Sequence, residues 1–165
     1  MAIAKQKIMP CLWYDNQAAE AAKFYTSVFK NSKIGRTSYY SDEGKDVHGH
    51  DASKVLTVEF ELDGQKFLAL NGGPMFKFTE AVSFQVFCED QKEIDYYWDK
   101  LREGGGQESQ CGWLKDRFGL SWQVVYSKLP EMLLDKDRTR VDRVFKAFMP
   151  MKKFDTAAID RAYAG

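Results

Sequence analysis

Two stretches of the sequence decide the fold: CLWYDNQAAEAAKFYTSVF at residues 11–29 and FQVFCEDQKEIDYYWDKL at residues 84–101. Each begins with a short apolar run, which predicts a buried strand, and continues with apolar residues at helical spacing. The two helical stripes are Ala21, Phe24, Tyr25 and Val28, and then Ile94, Tyr97, Trp98 and Leu101. Their repetition, at an offset of about 74 residues, indicates an internal repeat of one strand–helix unit.

Further strands are predicted after each stretch. Residues 33–40 and the alternating run 55–62 follow the first helix. Asp63-Gly64 then predicts a two-residue hairpin turn, because both positions tolerate positive φ, and residues 65–71 form the returning strand. Two or three strands fit into residues 108–126, whereas the polar segment 41–54 predicts a loop.

The predicted fold is therefore α+β, with two tandem βαβββ modules. We expect these modules to form a curved, barrel-like mixed sheet with the helices outside, followed by a C-terminal helical tail. The predicted boundaries are residues 1–80 for the first module, 81–127 for the second and 128–165 for the tail, all within one compact domain.

Composition excludes several classes of protein. The 24 basic and 24 acidic residues cancel, which argues against a nucleic-acid partner. No apolar run reaches the roughly 20 residues that span a bilayer, and the N-terminus lacks the apolar core of a signal peptide. The 3 cysteines are widely spaced and form no CxxC pair, which favours buried reduced thiols and a cytoplasmic location.

Motifs for catalysis are few. Gly104–Gly106 follows a helix rather than opening one, so a Rossmann-type cofactor loop is not predicted. His48 and His50 could bind a metal with a nearby aspartate, although surface histidines are the favoured interpretation. Cys11 or Cys111 would serve as a nucleophile only with a histidine within hydrogen-bonding reach, and nothing nearby in the sequence supplies one.

The alternation of side chains along the strands predicts a pocket. All-apolar sets should face the helices, while mixed sets of methionine, aromatic and amide side chains should line the concave side. The alternative, that the mixed sets simply fill a barrel, stays open at this point. The candidate ligand-binding residues are Met9, Cys11, Trp13, Phe67, Asn71, Ser83, Gln85, Phe87, Trp113 and Gln123.

The doubled βαβββ pattern resembles the vicinal oxygen chelate superfamily, which includes glyoxalase I, extradiol dioxygenases and bleomycin-resistance proteins. The chain is most similar to its PhnB-like branch, some members of which are labelled 3-demethylubiquinone methyltransferase. The phrases that carry the resemblance are PCLWYDNQAAEAAKFYTSVF, LTVEFELDG, FLALNGGP, SFQVFCEDQ, CGWLKDRFGLSWQVV and FKAFMPMKKFDTAAIDRAYAG.

The resemblance also carries expectations about metal. Metal-using members place His, Gln or Glu at four inward positions, which correspond here, within a residue or two, to Met9, Ala69, Ser83 and Gln123. Only Gln123 among them is a plausible ligand, because divalent cations prefer oxygen and imidazole donors. The resemblance therefore implies that the metal site is lost, with no metal and no cofactor.

Bleomycin-resistance proteins offer the nearest functional model, since they bind a ligand without catalysing a reaction and form dimers. We therefore expect a cytoplasmic homodimer that binds a small molecule without metal, and neither nucleic acid nor a membrane. The first alternative is an enzyme of the same superfamily. It would be a metal-dependent lyase, isomerase or dioxygenase-like enzyme with a shifted metal site that includes His48 or His50, or a metal-free enzyme in which this loop supplies the acid/base. The second is a ubiquinone-pathway methyltransferase.

Overall fold

A computed structural model describes residues 7–165, and within them the chain divides into two compact units between Lys77 and Phe78. The first unit contains β1 (Cys11–Tyr14), α1 (Ala18–Val28), β2 (Lys33–Tyr39), α2 (Lys45–His48), β3 (Val55–Leu62) and β4 (Gln65–Asn71). The second contains β5 (Ser83–Cys88), α3 (Gln91–Arg102), β6 (Gln107–Glu108), β7 (Trp113–Lys115), β8 (Ser121–Tyr126), α4 (Leu129–Leu133), α5 (Arg138–Phe148) and α6 (Thr156–Ala164). The α+β class, the two βαβββ modules and the helical tail are confirmed.

Each unit has one four-stranded mixed sheet, and the two sheets have the same topology. The strand orders are β1-β4-β3-β2 and β5-β8-β7-β6. In each sheet the first and last strands of the module pair in parallel, and the other pairs are antiparallel. Each sheet is open, so neither closes into a barrel by itself. The shared topology confirms the internal repeat.

Helix α1 covers one face of the first sheet. Its alanines Ala18, Ala21 and Ala22 are completely buried, and small side chains let a helix approach a sheet closely. Tyr25 of α1 stacks on Phe60 of β3 with ring centroids 6.0 Å apart. Burial of an aromatic side chain of this size stabilises the fold by about 2–3 kcal/mol.

Helix α1 begins with a cap from a distant strand. The Ala18 amide donates to Oδ1 of Asn71, 2.8 Å away, and Nδ2 of Asn71 donates to the Val55 carbonyl at 3.0 Å. The residue at the N-cap position, Gln17, makes no side-chain capping bond. Asn71 thus satisfies one of the helix's orphan amides from 53 residues away in the chain.

Strand β2 carries a bulge. Ile34 pairs with Phe60 and Thr37 with Val58, so Gly35 and Arg36 together oppose the single residue Glu59. A Cβ on Gly35 would lie 3.1 Å from the Glu59 Cβ, which explains the glycine. Arg36 consequently lies beside Glu59.

Helix α3 begins with a capping box. The Glu93 amide donates to the Asp90 side chain at 2.9 Å, and the Glu93 side chain accepts from the Glu89 amide at 2.8 Å. On the sheet-facing side, α3 buries Ile94, Trp98 and Leu101. The opposing strands contribute the buried side chains of Val86, Cys88, Leu114, Trp122, Val124 and Tyr126.

The helical tail, residues 128–165, is fastened to the second unit through the main chain. The amides of Cys111 and Gly112 donate to the carbonyls of Met151 and Lys152, both at 2.7 Å. A Cβ on Gly112 would lie 2.7 Å from the Val124 carbonyl oxygen and 3.0 Å from the Phe154 ring, so only glycine fits there. The tail is therefore packed as part of this unit's structure.

No helix within residues 7–165 combines the length and the apolar character that crossing a bilayer requires.

Candidate functional site

Each sheet has one face covered by its helix and an opposite face, which we call the helix-free face. In the first sheet the strand registers arrange the helix-free face in rows. The row at one end is charged, with Lys33, Glu61 and Lys66; the middle row has Arg36, Glu59, Leu68 and Cys11; the last has Ser38, Thr57, Leu70 and Trp13. Polarity thus decreases along this face.

The charged end contains two ion pairs. The Arg36 guanidinium donates twice to the Glu59 carboxylate, at 2.9 and 2.6 Å, and lowers the pKa of that carboxyl. Lys33 lies 3.6 Å from Glu61. A hollow of about 210 Å³ opens here, lined by Met9, Lys33, Gly35, Glu59, Phe60, Glu61, Lys66 and Phe67.

Trp13 is fixed in place at the other end of this face. Its indole Nε1 donates to the Gly73 carbonyl at 2.8 Å, and its ring meets Phe76 edge-on with centroids 4.9 Å apart. A Cβ on Gly72 would lie 2.3 Å from the Trp13 ring. The indole therefore packs directly on the backbone of residue 72.

The prediction for the face of β4 is wrong. Phe67 and Asn71 lie on the helix-covered face, where Phe67 stacks on Phe60 at 5.2 Å and Asn71 caps α1. Ala69 shares that face and is completely buried. The mixed set packs inward because the small Ala69 leaves room for α1 and the Asn71 amide is needed as a cap. The leucines Leu68 and Leu70 lie on the helix-free face instead.

In the second sheet, the strands place the predicted residues on the helix-free face. One row consists of Ser83, Ser121 and Lys115; the next of Gln85, Gln123 and Trp113; the third of Phe87 and Val125. A chain of hydrogen bonds joins the first two rows. Gln85 Nε2 donates to Gln123 Oε1 at 3.3 Å, and Gln123 Nε2 donates to Ser83 Oγ at 2.8 Å.

The first row of this face contains an ion pair and a buried hydroxyl. Lys115 Nζ forms a short ion pair with Glu80, which lowers the pKa of that carboxyl. The Ser121 side chain is completely buried, and its Oγ has no hydrogen-bond partner within residues 7–165. Lys115 and Glu80 were not among the predicted site residues. Lys115 is two positions after Trp113, so the period of a strand is the signal that could have found it.

The histidines lie in a short helix and its following turn, within the predicted loop. Their rings contact Tyr40, with centroid distances of 4.7 Å to His48 and 4.4 Å to His50. His48 Nδ1 accepts from the His50 amide at 3.1 Å, so Nε2 carries the proton and donates to the Glu43 carbonyl at 3.2 Å. Both nitrogens of His48 are thus engaged by the main chain.

The residues at the sheet positions expected for a metal do not fit a divalent cation. On the first and last strands of the modules, the helix-free faces present Cys11, Trp13, Leu68 and Leu70, and Ser83, Gln85, Ser121 and Gln123. These side chains include no carboxylate and no imidazole, the donors that such cations prefer. Among the described residues, no group of three or more His, Cys, Asp or Glu side chains is arranged to hold a metal ion.

The chain was compared with known families and structures. The family model described as 3-demethylubiquinone-9 3-methyltransferase matches residues 6–125. A PhnB protein from Bacillus cereus is 34% identical, with a TM-score of 0.64, and the match covers 73% of this chain and 99% of that one. No curated protein sequence matches the chain.

Two more distant structures are similar in fold alone. Protein PA1353 from Pseudomonas aeruginosa is 17% identical, with a TM-score of 0.58, over 73% of this chain and 96% of that one. The fosfomycin resistance protein FosX from Listeria monocytogenes, solved with Mn(II) and sulfate, is 14% identical, with a TM-score of 0.54, over 80% and 98%.

Proposed function

The chain belongs to the 3-demethylubiquinone-9 3-methyltransferase (PhnB-like) family of the vicinal oxygen chelate superfamily, and from this premise we propose that it binds a small organic molecule without a resident metal ion. The observation that carries the proposal is the helix-free face of the second sheet. There the hydrogen-bonded side chains of Gln85, Gln123 and Ser83 run beside Trp113. Amides and hydroxyls orient a ligand, while an aromatic side chain supplies apolar contact.

Metal independence is proposed on the chemistry of the available donors. Carboxylate is the preferred protein ligand of Mn²⁺ and Mg²⁺, and imidazole suits other transition metals. The first and last strands of the modules offer amides, hydroxyls and one thiol on these faces, and their leucines have no donor atom. We therefore expect ligand affinity to be unchanged by chelators. Metal analysis of protein purified without a chelator or a metal-binding tag tests this point, and one equivalent of a divalent metal per chain would overturn it.

Ligand binding is tested by a thermal-shift screen of small aromatic and heteroaromatic compounds, followed by calorimetric titration of the hits. Gln123→Leu and Trp113→Ala should each lower the affinity for a compound found in the screen by about 10-fold. Each variant removes one contact worth about 1–2 kcal/mol, and ~1.4 kcal/mol corresponds to a tenfold change in Kd. Tyr96→Ala, an exposed aromatic on α3, is the control and should change nothing. If the affinity for these compounds is the same in both site variants as in the unchanged protein, the proposed binding site on the second sheet is contradicted.

The methyltransferase activity in the family's description is a second candidate. In each module the turn that leads from the first strand into the following helix, residues 15–17 and residues 89–90, contains no glycine. A glycine-rich turn at that place is the usual means of binding a dinucleotide or related cofactor. Titration with S-adenosylmethionine tests this candidate, and saturable binding would favour it over a pure binding function.

We further expect the protein to act as a homodimer in the cytoplasm, as the bleomycin-resistance proteins suggest. Light scattering coupled to size-exclusion chromatography measures the mass directly. A monomer at micromolar concentration would contradict the dimer and would leave the ligand-binding proposal to its own test.

A further inference from the structure

We propose that the first row of the second sheet's helix-free face is a carboxylate-binding site, formed by Lys115 with the hydroxyls of Ser121 and Ser83, and that Glu80 pairs with its lysine when no ligand is bound. The inference deepens the proposed function, on which it rests, by naming the ligand class as an organic carboxylate with an apolar or aromatic body.

The strand order places these groups together. Ser83, Ser121 and Lys115 pair across β5, β8 and β7 in one row, so their side chains leave the same face. Glu80 lies three residues before β5, on the far side of β8 from Lys115. The ion pair therefore links the segment that leads into β5 with β7, and these two strands flank β8.

The buried hydroxyl of Ser121 is the second, independent observation. It is completely buried yet has no hydrogen-bond partner in the described part of the chain. A buried polar group without a partner is costly and uncommon, and a bound water, ion or ligand is one way in which such a group gains a partner. The neighbouring Ser83 hydroxyl accepts from Gln123 Nε2, and its own proton remains available to a ligand.

Glu80 indicates which anion fits. Lys115 supplies a single positive charge, and a carboxylate already pairs with it in the structure. A ligand carboxylate placed between Lys115 and the two serines would gain the Lys115 ammonium and hydrogen bonds from both hydroxyls, and such hydrogen bonds are charge-assisted. Glu80 would then move away into solvent, where its side chain is already 63% exposed.

The rest of the face indicates the body of the ligand. Beyond the charged row come Gln85, Gln123 and Trp113, and beyond these the apolar side chains of Phe87 and Val125. A molecule with its carboxylate on Lys115 would thus extend its body over the indole and these apolar groups. Naphthalene is a suitable body for a first probe because it is planar, apolar and of similar width to an indole.

The test compares 2-naphthoate with its uncharged isostere 2-naphthamide by calorimetric titration. We expect the acid to bind at least 10-fold more tightly than the amide. Lys115→Met should abolish that preference, Lys115→Arg should keep most of it, and Ser121→Ala should weaken the acid by several-fold. Glu80→Gln should tighten the acid by about 3-fold, since it removes the competing carboxylate of an exposed pair. Glu103→Gln, which breaks the exposed Lys100–Glu103 pair of α3, is the matched control and should have no effect.

The possible results of these titrations distinguish the carboxylate site from the proposed function on which it rests. Equal binding of acid and amide, with both sensitive to Trp113→Ala, would overturn the carboxylate site and keep the proposed function. Acid binding that Glu80→Gln weakens would overturn the role of Glu80 as the internal competitor. If neither probe binds at millimolar concentration, the carboxylate site is overturned, and the wider compound screen then decides the proposed function separately.

Discussion

Replacement of Asn71 by alanine should strongly destabilise the first unit while leaving ligand affinity unchanged. The change removes the cap on the Ala18 amide and the donor to the Val55 carbonyl. Ala18 is completely buried, so water cannot replace the lost acceptor. Loss of an N-cap costs about 1 kcal/mol, and a stranded buried group adds about 1–3 kcal/mol. We therefore expect the free energy of unfolding to fall by about 3 kcal/mol.

The matched control is Asn16→Ala. Asn16 is exposed and lies two residues before Ala18, yet the Ala18 amide bonds to Asn71. Exposed substitutions away from such contacts change stability by about 0.5 kcal/mol or less. Urea unfolding followed by far-UV circular dichroism measures both variants. The reasoning is refuted if Asn71→Ala costs less than about 1 kcal/mol, or if Asn16→Ala costs as much.

Three further predictions concern single residues. Ser121→Ala should raise the free energy of unfolding of the ligand-free protein by about 1 kcal/mol, because it deletes a buried hydroxyl without a partner; a loss in urea unfolding would contradict this. Gly72→Ala should cost about 1–3 kcal/mol and alter tryptophan emission, since the new Cβ would overlap the Trp13 ring; an unchanged spectrum and midpoint would count against the packing described. Burial raises the pKa of the Cys88 thiol to about 12, so iodoacetamide at pH 8 should alkylate Cys88 only in urea, as mass spectrometry of the peptides would show.

Local signals in the sequence predicted most of the fold. Both helical stripes and the Asp63-Gly64 hairpin depend on residues within a few positions of one another, and all are present. The turn residues have φ of +45° and +83°, as a two-residue hairpin of this kind requires. Such features can be recognised in a sequence because the residues that interact in the structure are also close together in the chain.

The errors come from interactions between residues far apart in the chain. The cap of α1 comes from Asn71 rather than from a residue beside the helix, and no local rule connects the two. The same requirement turns Asn71 and Phe67 inward, against a rule that places amides on the pocket side. In β5 and β8 no distant helix needs a polar cap, so the alternation alone placed Ser83, Gln85 and Gln123 on the correct face.

Ligand binding at Ser83, Gln85 and Gln123 stays a prediction. The structure adds Lys115 and Glu80, the charged groups from which we inferred that the ligand carries a carboxylate. Lys115 and Glu80 come from two different segments, and the order of the strands β5, β8 and β7 brings them together. A sequence shows such a pair only when the order of strands is already known.

The fastening of the tail bears on where this chain can be shortened. The family model ends at residue 125, so α4, α5 and α6 lie beyond the segment that it matches. Yet two amides of the matched segment, at Cys111 and Gly112, depend on carbonyls of the tail, and Gly112 has Phe154 against it. Loss of the tail would strand those amides and uncover the glycine. A chain cut after residue 127 would thus keep every residue that the family model matches and still lose hydrogen-bond partners of its second unit.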